Sequence, residues 1–93
     1  MSDEVTHSVR AIIKNQKGLH ARAAAKFVKV VGGFDAEIRV LKGEMDVQGG
    51  SIMGLMMLAA GIGSELEIRA SGASAKAAIE AILDLIERRF DED

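Results

Sequence analysis

The chain has no cysteine, proline, tryptophan or tyrosine. The missing cysteines and large aromatic residues each exclude a class of structure or function, and no proline marks a domain boundary. Without cysteine there is neither a disulfide framework nor a cysteine-ligated zinc cluster, so packing must hold the domain together and a reducing cytoplasm is the expected location. The aromatic residues are three phenylalanines and the net charge is −2, so nucleic acid would meet neither a stacking platform nor a basic surface. We therefore expect protein partners and no nucleic acid.

Long apolar runs are also missing. No stretch approaches the roughly 20 apolar residues that span a bilayer, and the opening MSDEVTHS lacks the basic-then-apolar pattern of a signal peptide. We expect neither membrane insertion nor secretion.

What the sequence does contain is 48% hydrophobic and 28% charged residues over 93 positions. That is the balance of one folded domain, which we assign to residues 1–93.

The apolar pattern changes period several times along the chain. Alternating apolar and polar residues predict strands over residues 5–13, 36–40, 45–47 and 66–70. Helical spacing predicts helices over residues 24–31, 52–60 and 75–90, the first stopped by Gly32 and Gly33 and the second by Gly61. The order is β-α-β-β-α-β-α. Since each strand has one apolar face and each helix one apolar stripe, the helices should cover one side of a sheet whose other side meets water.

His20 falls at or near the N-cap of the first predicted helix. Backbone N–H groups of a first helical turn have no partner inside the helix, and the helix dipole adds partial positive charge, so an anion is favoured there. Histidine is partly neutral near pH 7 and can then act as a nucleophile. His20 could therefore accept a phosphoryl group, with the Arg22 guanidinium near enough in sequence to pair with its oxygens. From spacing alone, however, a loop histidine beside a solvated arginine is the simpler interpretation.

The remaining chemical candidates are weaker. His7 lies near the start of the first strand, and two histidines so far apart without matching carboxylates make a poor metal site, so we expect neither metal nor cofactor. Ser51 stands at the predicted N-cap of the second helix, where a kinase could phosphorylate it, although serine is also a very common helix cap.

The second predicted helix is short and rich in methionine. Methionine fills cores, and it also lines adaptable protein-binding surfaces, so the local pattern leaves both roles open. A helix this short cannot bury all of its apolar side chains, and we predict that some of them form a partner-binding surface. The candidates are Ile52, Met53, Leu55 and Met56.

Two segments, GLHARAAAKFV at residues 18–28 and SIMGLMMLAA at residues 51–60, together resemble HPr. HPr is the histidine-containing phosphocarrier of the bacterial phosphoenolpyruvate phosphotransferase system. The resemblance extends from the first strand to the last helix and implies an α+β fold, an open-faced β-sandwich. In that fold a four-stranded antiparallel sheet carries three helices on one face.

The resemblance also assigns roles to individual residues. It implies that His20 is phosphorylated on Nδ1, that Arg22 steadies the phosphoryl group, and that Ser51 is the target of HPr kinase/phosphorylase in bacteria that have this enzyme. It implies that Enzyme I is the donor and an EIIA-type protein the acceptor, with the apolar helix as their docking surface. The protein would then be a monomeric phosphoryl carrier with a transient phosphohistidine rather than an independent enzyme.

One position departs from the pattern of sugar-transport HPr proteins, which usually have proline directly after the arginine. Here Ala23 stands in its place, which restores a backbone N–H near the site that proline would remove. The HARAAAKFV form is more similar to HPr of nitrogen-related, regulatory phosphotransferase systems.

Two other hypotheses belong to different functional classes. In the first, the chain is a non-catalytic regulatory docking module that acts through its methionine-rich helix, and His20 is only a surface residue. In the second, it is a small ligand-binding α+β domain, for which the sequence offers no glycine-rich cradle or polar constellation.

Overall fold

A computed structural model describes residues 6–92 of the chain. Within that range, four strands and three helices alternate in the expected order, and Val5, which we placed in the first strand, lies outside it. The strands are β1 Thr6–Ile12, β2 Glu37–Lys42, β3 Met45–Gln48 and β4 Glu65–Ser71. The helices are α1 Ala21–Val31, α2 Ile52–Met57 and α3 Ala75–Glu87, followed by a short 3₁₀ turn at Arg89–Asp91.

The strands form one antiparallel sheet in the order β1-β4-β2-β3. The central strand β4 sets the register, with Ile68 opposite Val9 of β1 on one side and Val40 of β2 on the other. Helix α3 packs against β1 and β4, and α1 packs against α2 and α3. The α+β, open-faced β-sandwich prediction is confirmed.

The core lies between the helices and the inner face of the sheet. Because side chains alternate across a strand, every second residue of β2 and β4 is buried while its neighbours face outward. The largest fully buried apolar side chains are Phe27, Phe90, Ile13, Leu55, Leu58, Leu66, Ile68, Ile82, Leu85, Ile86 and Val40.

The outer face of the sheet is polar. The Ser8 hydroxyl and the Arg69 guanidinium both donate to the Glu67 carboxylate, at 2.8 and 2.7 Å, and Arg10 pairs with Glu65 at 3.3 Å. Ile12 is the apolar exception on β1, half exposed on this face. Exposed pairs of this kind contribute little to the free energy of folding, because solvent screens them. Their main effect is to keep this face compatible with water.

The second helix is shorter than predicted. It ends at Met57 instead of continuing to Gly61, because Ala59 takes a left-handed backbone conformation with φ of 51°. Beyond it, the Ala60 carbonyl accepts a hydrogen bond from the Leu19 N–H at 2.8 Å, which ties this segment to the turn before α1. That long-range contact overrides the local helical pattern.

The last helix is also shorter than predicted, ending at Glu87. Phe90 follows the helical spacing and is buried as expected, but it lies in the 3₁₀ turn with φ of 54°. Arg89 and Asp91 on either side of it also have positive φ, 59° and 62°. Left-handed backbone costs roughly 1–2 kcal/mol per residue outside glycine, so burial of the Phe90 side chain, worth about 1.5–3 kcal/mol, offsets only part of the cost of the turn. Hydrogen bonds and ion pairs of Lys26 and Arg88 with the same turn add to this stabilisation. The chain therefore reverses direction and brings the following residues back toward α1.

No helix within residues 6–92 has both the length and the apolar character needed to cross a membrane.

Candidate functional site

A tight turn before α1 presents His20. Gly18 has φ of 65°, in the left-handed region that glycine adopts without steric cost. Its Cα also packs so closely on the Ala60–Gly61 backbone that an added Cβ would lie 2.7 Å from the Gly61 Cα and closer still to the Ala60 carbonyl oxygen. Glycine is therefore required here by both conformation and space, and the turn holds the start of α1 against the segment that follows α2.

His20 is the N-cap residue of α1, as predicted. Its backbone is extended, its carbonyl accepts from the Ala24 N–H at 2.8 Å, and its ring makes no capping hydrogen bond to the first turn. The ring remains 27% exposed. Because the ring does not cap the helix, the first-turn N–H groups remain available to an anion beside His20.

The C-terminal segment supplies a partner for the ring that the sequence analysis missed. Nε2 of His20 contacts the Glu92 Oε2. The buried Asn15 side chain donates through Nδ2 to the Glu92 Oε1 at 3.0 Å and to the Gly18 carbonyl at 2.7 Å. Asn15 thus links the turn, the histidine and the end of the chain. The only sequence signal was a polar asparagine next to a strand, which a turn explains equally well.

The Asn15 hydrogen bond, with the His20 contact adding to it, lowers the pKa of the Glu92 carboxyl against the opposing effect of partial burial. A carboxyl whose pKa falls on folding stabilises the folded state above its ordinary value of 4.5. That contribution is lost as the pH falls through the lowered value. Glu92 is therefore ionised, and accepts hydrogen bonds only, throughout the neutral range.

Further contacts fix the segment that carries Glu92. Phe90 is buried, and its carbonyl accepts from the Lys26 Nζ at 3.0 Å. Lys26 also pairs with Asp91 at 3.4 Å, and Arg88 holds the same carboxylate at 3.2 Å. The 3₁₀ turn is therefore held by the burial of Phe90 and attached to α1 by two polar contacts of Lys26.

An open groove surrounds the ring. His20 and Arg22 line it together, so the structure brings the two predicted residues to one place. Lys17 and Lys26 border the same groove, and Asp91 and Glu92 form its other side. Arg22 is exposed, and among residues 6–92 no carboxylate forms an ion pair with it. An anion on His20 would face positive charge from the turn and from α1.

The structure does not place Ser51 in this groove. It caps α2 as predicted, with its Oγ accepting from the Gly54 N–H at 3.0 Å. The segment after α2, Ala59 to Gly61, borders a second shallow groove beside His20 and Lys17. The cap therefore lies at one end of α2 and His20 beside the other.

The α2 surface differs in one residue from the predicted partner-binding set. Ile52, Met53 and Met56 are exposed, with Met53 at 75%, but Leu55 is completely buried. Leu55 was wrongly included, because it points from α2 into the core while its neighbours point outward. Met57, which was not predicted, is 65% exposed. We define the α2 patch as Ile52, Met53, Met56 and Met57.

His7 lies apart from the site. It is half-buried on β1 and lines a separate groove with Lys76 and Ile79 of α3. The two histidines therefore differ in surroundings, which makes His7 a natural control.

Known proteins resemble this chain along most of its length. The family described as PTS HPr component phosphorylation site matches residues 7–88. A "Phosphocarrier protein HPr" of Pseudomonas aeruginosa is 49% identical over 81 residues, covering 86% of this chain and 90% of that protein. A "Phosphocarrier protein NPr" of Shewanella violacea is 42% identical over 80 residues, covering 86% and 88%.

A solved structure matches as well. The crystal structure of HPr-C-His from Thermoanaerobacter tengcongensis superposes with a TM-score of 0.90 at 41% identity, covering 94% of this chain and 98% of that one. The family match includes His20, Arg22 and Ser51 and stops before Glu92.

Proposed function

The chain belongs to the HPr family of phosphocarriers of the phosphotransferase system, and from that premise we propose that His20 accepts a phosphoryl group from Enzyme I and passes it to an EIIA-type acceptor. The observation that carries the proposal is the position of His20 at the open start of α1, in one groove with Arg22. In this proposal the protein works in the cytoplasm as a monomer.

The groove suits a phosphoryl group that is transferred twice, first to His20 and then to the acceptor protein. First-turn N–H groups and the Arg22 guanidinium donate to phosphoryl oxygens, and Lys17 and Lys26 add positive charge at the rim. Since the ring is partly exposed, the phosphoryl group stays accessible to a second protein. A carrier of this kind positions the phosphoryl group without enclosing it.

We further propose that the acceptor belongs to a regulatory, nitrogen-related system. Ala23 stands where sugar-transport HPr proteins usually have proline, and it is completely buried in the first turn of α1. Relatives carry both names, HPr at 49% identity and NPr at 42%, so the proposal rests on Ala23. The phosphoryl group would then signal metabolic state, with no sugar transported.

The test is intact mass after incubation with Enzyme I and phosphoenolpyruvate. We expect one added phosphoryl group that brief acid treatment removes, as for a phosphohistidine. The phosphorylated protein is then offered to a nitrogen-related EIIA and, separately, to a sugar-specific EIIA. Faster transfer to the nitrogen-related protein is expected. Equal transfer or a preference for the sugar-specific protein would refute the regulatory assignment, and no added mass would refute the carrier role.

The α2 patch is proposed as the docking surface for Enzyme I. Met53→Ala should raise the KM of Enzyme I for this carrier about fivefold, because an exposed apolar contact of about 1 kcal/mol is lost. Its thermal midpoint should stay within a few degrees of wild type. The matched variant Leu55→Ala should lower the free energy of unfolding by about 2–5 kcal/mol through a buried cavity. An unchanged KM for Met53→Ala would count against docking through this patch.

Ser51 is proposed as a regulatory phosphorylation site for HPr kinase/phosphorylase, next to the α2 patch. Ser51→Asp keeps an oxygen for the Gly54 N–H and adds negative charge beside the docking surface. Phosphoryl transfer from Enzyme I should slow about tenfold, as expected for a charge that opposes an anionic partner. Ser51→Ala should instead lose about 1 kcal/mol of stability and keep its transfer rate. Stopped-flow transfer with both variants separates the two effects, and a wild-type rate for Ser51→Asp would contradict the regulatory role.

A further inference from the structure

The contact between Glu92 and His20 has no explanation in the family match, which ends at residue 88. It joins residues 72 positions apart and is held by the buried Asn15 amide on one side and by the anchored 3₁₀ turn on the other. We propose that Glu92 is a positioning residue that keeps the His20 proton on Nε2 and so leaves Nδ1 as the nucleophile. The inference rests on the proposed function of His20.

The argument begins with which group can donate. An ionised carboxylate offers only acceptor oxygens, so the Nε2 facing Oε2 must carry the hydrogen. In a neutral imidazole one nitrogen carries hydrogen and the other a lone pair. Hydrogen on Nε2 therefore places the lone pair on Nδ1. The ring does not use Nδ1 to cap α1, so it is available for bond formation.

Asn15 determines which carboxylate oxygen of Glu92 faces the His20 ring. Its Nδ2 donates both hydrogens, one to the Gly18 carbonyl and one to the Glu92 Oε1, which leaves Oε2 for the ring. The Asn15 side chain is buried, so its own orientation is set by the turn. The two carboxylate oxygens of Glu92 are thus divided between the turn and the histidine, and the histidine ring is held in one orientation.

The same contact assists the transfer step. The Nδ1 lone pair forms the new nitrogen–phosphorus bond while the bond from phosphorus to the donor breaks, and that electron pair returns to the donor. The proton stays on Nε2, so positive charge develops on the ring. A carboxylate hydrogen-bonded to Nε2–H stabilises that charge more strongly than a neutral acceptor would.

The first measurement is the tautomer of unphosphorylated His20 by ¹⁵N NMR, at a pH where the ring is neutral. We expect the wild-type ring to hold its proton on Nε2 and the Glu92→Ala ring to show a mixture of both tautomers. The control Glu87→Gln removes a carboxylate that pairs with Lys14 at 2.6 Å, away from His20, and should match wild type. Identical ¹⁵N shifts for wild type and Glu92→Ala would overturn the proposal. Unfolding curves of all three proteins verify that each is folded.

The second measurement is the kinetics of phosphoryl transfer from Enzyme I. Glu92→Ala should lower kcat about tenfold, the equivalent of one charge-assisted hydrogen bond, with KM unchanged. Glu92→Gln should fall between the two, because its neutral amide can accept from Nε2–H without the charge. A raised KM with unchanged kcat would make Glu92 a docking contact and refute positioning. If the wild-type chain accepted no phosphoryl group, the carrier proposal would fail, and the NMR measurement would still decide the tautomer.

Discussion

His20→Ala should abolish phosphoryl acceptance. The imidazole is the proposed nucleophile, and alanine has no atom that could form the nitrogen–phosphorus bond, so the rate should fall by at least about a thousandfold. Intact mass after incubation with Enzyme I and phosphoenolpyruvate is the measurement. The fold should survive, because the His20 ring is partly exposed and does not cap α1.

His7→Ala is the matched control, since the chain has two histidines and His7 lies in a separate groove between β1 and α3. It should gain the phosphoryl group at the wild-type rate. Phosphorylation of His20→Ala, or its loss in His7→Ala, would show that the wrong histidine has been assigned. Full cellular activity of His20→Ala would favour the docking-module hypothesis, in which the α2 patch alone carries the function.

Gly18→Ala should cause the largest loss of stability among single-site changes near the site. The new Cβ meets backbone atoms of Ala60 and Gly61 that cannot rotate away, and alanine must also adopt φ of 65°. Left-handed strain costs roughly 1–2 kcal/mol, and the clash brings the expected loss to at least about 3 kcal/mol. For a domain of this size, the thermal midpoint should fall by roughly 12–24 °C.

Gly43→Ala separates the two causes. Gly43, in the β2-β3 hairpin, has a nearly equal φ of 59°, but a Cβ there meets no atom of the described chain within 4 Å. We expect a loss of about 1–2 kcal/mol from strain alone. Thermal or urea unfolding of both variants gives the comparison. Equal losses would mean that the turn moves freely away from residues 60–61, contrary to the close packing at Gly18.

Local periodicity was enough to predict most elements of the fold. Apolar residues recur at every second position in β1, β2 and β4, and at every third or fourth position in α1. Such short repeats can be recognised from neighbouring residues alone. Ser51 as the cap of α2 and His20 as the cap of α1 follow from the same local signals. The antiparallel sheet came from the resemblance to HPr, and its strand order β1-β4-β2-β3 came only from the structure, because strand neighbours are chosen by long-range packing.

The errors occurred where distant contacts compete with local pattern. The α2 helix stops at Met57 because Ala60 bonds to Leu19, and α3 stops at Glu87 because Phe90 is buried in a reversed turn. Leu55 is as apolar as the exposed residues of the α2 patch. Only the orientation of α2 against the core makes Leu55 buried and leaves the patch exposed.

The sequence by itself determined the element order, the open-faced layering and the candidate pair His20 and Arg22, since these depend on residue type and short-range spacing. Only the tertiary structure decided that Glu92 meets His20 and that Asn15 holds it there. No periodicity connects residues 72 positions apart. That contact exists because the core buries Phe90 and Lys26 binds the turn, which returns the end of the chain to the start of α1.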